Sequence, residues 1–190
     1  MKERGMIFNG EMVRAILDGG KTQTRRPVKV PHIDKDAMCE LSGNELAGEL
    51  LAGNYRNSPH GKPGDRIWVR ETWARYNIDQ DSHDMAYRAT PPADWPEEGR
   101  WRPSIHMPRW ASRLMLEITG VRVERLQAIT LGDICKEIGC GLYDFRPATY
   151  GFQVWEELWK SIYGEENWQA NPWVWVIEFK VVPNVQDNPA

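Results

Sequence analysis

A short basic segment, 18-DGGKTQTRRPV-28, concentrates side chains that can hold or attack a ligand. Gly19, Lys21, Thr24, Arg25 and Arg26 all fall within it. Lysine and arginine bind phosphate and carboxylate oxygens, and the planar guanidinium does so with two parallel hydrogen bonds. A threonine hydroxyl becomes a useful nucleophile only when a base takes its proton. The segment is therefore either a solvated basic turn or a place where an anion or a carbonyl group is held and attacked.

A second stretch, 66-RIWVRETW-73, interleaves cations with aromatic side chains. Trp68, Arg70 and Trp73 could stack a nucleobase and bind its phosphate. The alternative is a half-buried strand whose tryptophans pack under long loops. Glu71 is a further candidate, and on an alternating strand it should point with Trp73 toward the core or a cleft. Arg109, in the basic stretch 104-SIHMPRW-110, could line the same cleft.

The elements that must position these residues follow from the spacing of apolar side chains. Helical spacing over 10–18 predicts an amphipathic helix, which Gly19 and Gly20 end. Residues 24–30 then resemble a strand interrupted by Pro27. The basic segment thus begins at a helix C-terminus, where side chains and loop N–H groups, rather than a helix dipole, must hold any anion.

The remaining elements suggest a mixed fold. Strands are predicted within 63–76, 113–126 and 173–182, and helices at 44–51, 131–138 and 150–162. Segments about 31–62 and 77–103 lack a clear period and are predicted to be loop insertions. Because regular strand–helix alternation is missing, we expect one α+β domain over 1–190 with a mostly antiparallel, barrel-like sheet and short flanking helices. Four tryptophans are expected in its core: Trp155, Trp159, Trp173 and Trp175.

Composition argues against several classes of protein. The 190 residues are 41% hydrophobic, which suits a folded domain, yet no apolar run is long enough to span a membrane. The net charge of −3 argues against bulk binding to duplex DNA. The three cysteines lack C-x-x-C spacing and the four histidines are scattered, so no metal or other cofactor is expected. Reduced cysteines would suit a cytoplasmic protein.

The motif Gly19-x-Lys21-x-x-Thr24-x-Arg26 resembles the G-x-K-x-x-T/E-x-R signature of ASCH domains, which belong to the PUA-like superfamily of small β-barrels. The longer run NGEMVRAILDGGKTQTRRPV, with GDRIWVRETW and WVWVIEFKVV, is similar to ASCH proteins of bacteriophages and prophages. The resemblance covers most of the chain and leaves out the two insertions.

This resemblance implies a barrel with a cleft beneath the signature and a role in binding RNA or modified nucleotides. One family member is an amidohydrolase acting on acetylated cytidine, and another branch has ribonuclease activity. The working residues of the amidohydrolase correspond to Lys21, Thr24 and Glu137. The first two follow from the motif, and Glu137 follows from the looser pattern 126-LQAITLGDICKEIG-139.

Whether such a trio does chemistry depends on its protonation. Lys21 can take a proton from Thr24 only if burial, or the charges of Arg25 and Arg26, lower its pKa. Glu137 could orient Lys21 or, when protonated, act as a general acid. A close ion pair would instead keep both charged and make the lysine a poor base. The residues therefore support either a catalyst or an inert salt bridge.

The leading expectation is binding of RNA, or of a modified or unmodified nucleoside or nucleotide, in a basic cleft under the motif. No membrane or duplex DNA partner is expected. One alternative is a metal-independent hydrolase, an amidohydrolase on acylated cytidine or a ribonuclease, that uses Lys21, Thr24 and Glu137. The other is a phage protein that uses the barrel as a scaffold and its tryptophan-rich loops to contact a protein partner.

Overall fold

The structure is a computed structural model that describes residues 1–75 and 85–185. The first part of the insertion predicted at 77–103 lies outside the described residues. In chain order the elements are β1 (Glu3–Ile7), α1 (Gly10–Leu17), β2 (Gln23–Pro27), α2 (Gly43–Leu51), β3 (Arg66–Arg70), β4 (Trp73–Arg75), β5 (Met85–Tyr87), β6 (Met115–Arg125), α3 (Leu131–Ile138), α4 (Ala148–Tyr163), α5 (Glu165–Gln169) and β7 (Trp173–Val182).

A five-stranded sheet in the order β1-β3-β6-β7-β2 forms the centre of the protein. The β1–β3 pair is parallel and the other pairs are antiparallel, so the fold is mixed α+β with a mostly antiparallel sheet, as predicted. The register of β6 against β7 shifts between Ile118 and Gly120, which is typical of a β-bulge.

The sheet does not close into the predicted barrel. Its edge strands β1 and β2 share no backbone hydrogen-bonded pairing within the described residues. A side chain links these two edge strands instead. Arg26 Nη2 donates to the carbonyl oxygen of Ile7 at 2.8 Å, and the guanidinium lies over the Phe8 ring at 5.3 Å from its centroid. Arg26 is therefore part of what brings the edges of the sheet together.

Apolar side chains cover both faces of the sheet. One cluster packs α1 and α2 against a face that includes Trp175, Ile177 and Phe179. A second cluster packs α3 and α4 against Val174 and Val176 of the opposite face. Side chains on both faces of β7 are consequently buried, which explains why its sequence is almost continuously apolar.

The tryptophans predicted for the core are buried at Trp155, Trp159 and Trp175, whereas Trp173 is half-buried beneath Arg125, whose guanidinium lies 4.6 Å from the ring centroid.

Two predicted elements differ in the structure. Pro27 ends β2 rather than interrupting a longer strand. The second insertion is not a continuous loop, because β5 pairs with β4 in a separate two-stranded sheet. The first insertion contains α2, as predicted, and Ser42 begins that helix with a capping box to Glu45. No helix within the described ranges has the length and apolarity to cross a membrane.

Candidate functional site

The motif loop follows the C-terminus of α1 and packs against the C-terminus of α3. Gly19, at φ +77°, ends α1 in the left-handed conformation. Gly20 lies against Gly139, the residue that ends α3, so closely that a Cβ on Gly20 would be 2.5 Å from the Gly139 carbonyl oxygen. Thr22 N–H donates to the carbonyl of Lys136 at 3.0 Å. The two glycines therefore allow the motif loop to dock on the end of α3.

Lys21 is buried by this docking, with 2% of its surface exposed. Its Nζ donates to the Gln23 carbonyl at 2.8 Å, to the Glu137 carbonyl at 2.6 Å and to Glu137 Oε2 at 3.2 Å. An ammonium has three N–H groups, so all of them find acceptors.

Opposing influences act on the pKa of Lys21. Burial is the largest and lowers it below its ordinary value, because the charged form loses its hydration. The Glu137 carboxylate raises the pKa through its charge and its hydrogen bond, while Arg26 and Arg25 lower it further. The net direction is downward, yet the contacts are those of a charged lysine held by Glu137.

Arg25 shares Glu137 with Lys21. Its Nη1 donates to Glu137 Oε1 at 2.9 Å, and its Nη2 contacts Glu124 Oε1 at 2.5 Å and Asp133 Oδ2 at 3.6 Å. The Arg25 guanidinium is thus compensated by three carboxylates. Sequence reasoning did not connect Glu124 or Asp133 to the site. Glu124 lies on β6 and Asp133 on α3, so both contacts depend on how these elements pack beside β2.

Thr24 and Arg26 form the other half of the site. Thr24 is fully buried, and its Oγ1 accepts a hydrogen bond from Arg26 Nη1 at 3.1 Å. The remaining acceptors of Arg26 are the backbone carbonyls of Arg25 and Ile7. Over residues 1–75 and 85–185, Arg26 has no carboxylate partner, so its positive charge is uncompensated.

A pocket of about 80 Å³ opens at these side chains. Its walls come from the start of α1, the motif, the end of α3 and one face of α4: Asn9, Glu11, Met12, Lys21, Thr24, Arg25, Arg26, Glu137, Ile138, Trp155, Leu158, Trp159, Ile162 and Tyr163. Of the α4 residues in this wall, Trp155 and Trp159 were predicted only as core side chains. Ile162 is 44% exposed, because this face continues past the core to the mouth of the pocket.

The structure therefore brings together five of the predicted site residues: Lys21, Thr24, Arg25, Arg26 and Glu137. The positive charge that was predicted for the cleft remains at Arg26, because Lys21 and Arg25 are paired with carboxylates. Arg26 has no such partner in the part of the chain that the structure describes.

Several predicted ligand-binding residues lie elsewhere. Gly19 shapes the loop without lining the pocket. Arg70 lies over the Trp68 ring, 5.4 Å from its centroid, and Trp73 is buried against Met107. These residues belong to or follow β3, which is separated from β2 by two strands.

Arg109 also lies away from the pocket, and its Nε pairs with the carboxylate of Glu3 at 2.9 Å.

Glu71 points inward, as predicted, but toward a different partner. It is 1% exposed and accepts two hydrogen bonds from Arg113, at 2.8 and 3.0 Å. Burial raises the pKa of Glu71, and Arg113 opposes that shift. Glu71 lines a separate cavity beside Arg14 and Arg88, on another side of the α1 N-terminus.

Comparisons with known proteins give only distant likenesses. No protein-family model and no curated protein matches the chain. A solved structure from Enterococcus faecalis V583, described by the family model DUF984, is 11% identical with a TM-score of 0.45; the match covers 100% of this chain and 86% of that one. An ASCH domain from Lactobacillus crispatus JV V101 is 13% identical with a TM-score of 0.47, covering 96% and 81%. Because likenesses this weak carry no assignment of function, the site itself must supply the function.

Proposed function

We propose that the pocket under the motif binds a nucleoside or nucleotide, free, modified or within RNA. The observation that carries this proposal is the uncompensated charge of Arg26 at the edge of a pocket with an aromatic wall. Among the described residues, the Arg26 guanidinium makes hydrogen bonds only to a hydroxyl and two carbonyls, and further N–H donors remain. A phosphate oxygen would supply the missing negative charge.

The size of the pocket limits how much of a ligand enters it. A volume of about 80 Å³ is smaller than the roughly 150 Å³ apolar cavity that holds benzene. Only the edge of a base, or a small group attached to it, fits among Lys21, Thr24 and Glu137. The rest of the ligand lies at the mouth, where Ile162 and Tyr163 offer apolar surface.

The resemblance to ASCH domains supports the same class of ligand. Lys21, Thr24 and Arg26 are the conspicuous side chains of the signature, and all three line this pocket. On that motif we place the chain with the PUA-like ASCH proteins of bacteriophages and prophages, acting in the host cytoplasm.

Binding is tested by titrating the protein with cytidine 5′-monophosphate and with a short single-stranded RNA. We expect saturable binding that Arg26→Gln weakens roughly tenfold, since a hydrogen bond to a charged group is lost. Lys29→Gln is the matched control, because it removes one charge from an exposed lysine three positions along the same segment. Equal affinity in wild type and Arg26→Gln would contradict the proposal.

Hydrolysis is the second candidate, and the environment of Thr24 favours it. Arg26 donates to Thr24 Oγ1, which would stabilise an alkoxide. A neutral Lys21 would take the Thr24 proton, Oγ1 would add to an acyl carbon, and Lys21 would return the proton to the leaving nitrogen. Water would then release the acyl group from Thr24. In the described state the Lys21 N–H groups are all occupied, so the lysine must first lose a proton.

Turnover of acetylated cytidine tests this candidate. We expect the rate to rise with pH as Lys21 loses its proton, and Thr24→Val to abolish turnover without unfolding the protein. Turnover that persists in Thr24→Val would exclude Thr24 as the nucleophile.

A further inference from the structure

An exposed tryptophan and two arginines lie together beside the small sheet of β4 and β5. Trp110 is 46% exposed and meets the buried Trp73 ring edge-on, with centroids 5.8 Å apart. The Arg75 guanidinium lies 5.5 Å from the Trp110 centroid, and the Arg102 guanidinium lies 5.2 Å from the Trp73 centroid. Backbone hydrogen bonds in both directions join Trp73 to Arg102. Together these four residues form the Trp110 patch.

The two arginines of the patch carry positive charge that the described parts of the chain do not compensate. Arg113, on the same small sheet, pairs with Glu71, whereas Arg75 and Arg102 are exposed and have no carboxylate partner among the described residues. Stacking on an indole ring orients a guanidinium while its N–H groups still point outward from the edge. The patch therefore presents two oriented positive charges beside an exposed apolar ring.

Carboxylates fit the Trp110 patch better than nucleobases do. A base binds by stacking on an aromatic face, but guanidinium groups already lie over these rings. Trp101, next to Arg102 in the chain, is stacked on Trp95 with centroids 4.0 Å apart. A carboxylate instead pairs with the edge of a guanidinium through two parallel hydrogen bonds. Tryptophan and arginine are also the residues enriched at the energetic centres of protein interfaces.

We propose that the Trp110 patch binds an acidic peptide segment of another protein, with carboxylates on Arg75 and Arg102 and an apolar side chain against Trp110. This surface is separate from the motif pocket, because none of its residues lines that pocket. The strand that leads into β4 is β3, which two other strands separate from β2. Failure of nucleotide binding at the motif would therefore leave this proposal standing, and the reverse also holds.

A fluorescein-labelled peptide with the repeated sequence Glu-Ser-Glu-Leu is the probe, and its fluorescence anisotropy reports binding to the full chain. We expect saturable binding that the double variant Arg75→Gln, Arg102→Gln weakens at least about tenfold, because hydrogen bonds between charged groups are lost. Trp110→Ala should also weaken binding, because the leucine loses its contact. The same peptide with glutamine in place of glutamate should not bind. Circular dichroism checks that the variants remain folded.

Arg125→Gln is the matched control for charge. Arg125 is exposed and lies over the Trp173 ring, 4.6 Å from its centroid, so it shares the stacked geometry of the patch. It ends β6, whereas the end of β3 that leads into β4 pairs with the start of β6. Removing the Arg125 charge should therefore leave the affinity for the peptide unchanged.

Three results would overturn the proposal: no saturable binding of the peptide, equal affinity in wild type and the double arginine variant, or an equal loss in Arg125→Gln. Competition with oligouridine of the same total charge separates a protein partner from a nucleic acid. We expect the oligouridine to displace the peptide poorly. Tighter binding of oligouridine that also depends on Arg75 and Arg102 would assign the Trp110 patch to a nucleic acid instead.

Discussion

Glu137 is the residue that sets the charge state of the site. Its two carboxylate oxygens are shared between Lys21 and Arg25, both almost fully buried. Burial lowers the pKa of Lys21, and the Glu137 carboxylate raises it. The Glu137 backbone carbonyl, near the C-terminus of α3, also accepts from Lys21 Nζ, so the negative end of the helix dipole stabilises the charged lysine. The site is consequently built around the Lys21–Glu137 ion pair, which Lys21 would have to break by losing its proton before it could act as a base.

Removing Glu137 should therefore destabilise the fold. We expect Glu137→Gln to lower the free energy of unfolding by about 3–5 kcal/mol, because buried cations lose their partner. The double variant Lys21→Met, Glu137→Gln should lose less than the sum of the two single variants. Urea unfolding measures both. Glu124→Gln is the control, since Arg25 keeps two other carboxylates there; a loss as large as that of Glu137→Gln would show that Glu137 is not central.

At the scale of elements, the end of α3 positions the whole site. Gly139 has φ +87°, and a Cβ there would lie 2.9 Å from the Ala15 Cβ and 3.1 Å from the Lys21 nitrogen. The helix must therefore end at a glycine for the motif loop to pack against it. Glu137 lies two residues before this end, so its place depends on how the helix stops.

Gly139→Ala should lower the free energy of unfolding by at least about 1–2 kcal/mol, the cost of a left-handed conformation for a residue with a Cβ. It should also weaken ligand binding, because the clash displaces Lys21. Gly132→Ala, in the first turn of the same helix, places a Cβ 3.9 Å from Thr130 Oγ1, an ordinary contact, and should raise stability by up to about 1 kcal/mol. If both substitutions changed the free energy of unfolding in the same direction, this account of the helix end would be contradicted.

Local sequence signals were sufficient for much of this element. The helix over 131–138 was predicted, and the structure confirms it, with Thr130 capping its start and Gly139 at its end. Pairing was not predictable in the same way. Alternation showed that Glu71 points inward but could not show that β3 lies between β1 and β6, away from β2. The three-residue strand β5 was missed because so short a strand has no period of its own.

At the scale of the whole molecule, the first insertion packs on the sheet and leaves His60 half-buried. His32 and His60 both meet the Trp175 ring edge-on, with centroids 5.8 and 5.7 Å apart. Burial, with the charges of Arg26 and Arg4, lowers the pKa of His60 to about 4. The insertion thus contacts the sheet close to Arg26 and contributes to the fold rather than hanging free.

Stability should therefore depend on pH through His60. The unfolded chain binds a proton near pH 6.5 and the folded one only near pH 4, so stability is lost as pH falls through that window, by up to about 3 kcal/mol. Urea unfolding between pH 7 and pH 4 measures the loss. His60→Gln should lose less stability over this range, whereas a Gln at the exposed His106 should change nothing. Parallel curves for wild type and His60→Gln would rule out this role.

The most direct test of nucleotide binding at Arg26 is one set of titrations. Wild type, Arg26→Gln and Lys29→Gln are each titrated with cytidine and with cytidine 5′-monophosphate. We predict that the phosphate raises affinity roughly tenfold in wild type and in Lys29→Gln, and has little effect in Arg26→Gln. The same phosphate effect in all three proteins would contradict the account, because the ligand would then be held somewhere other than at Arg26.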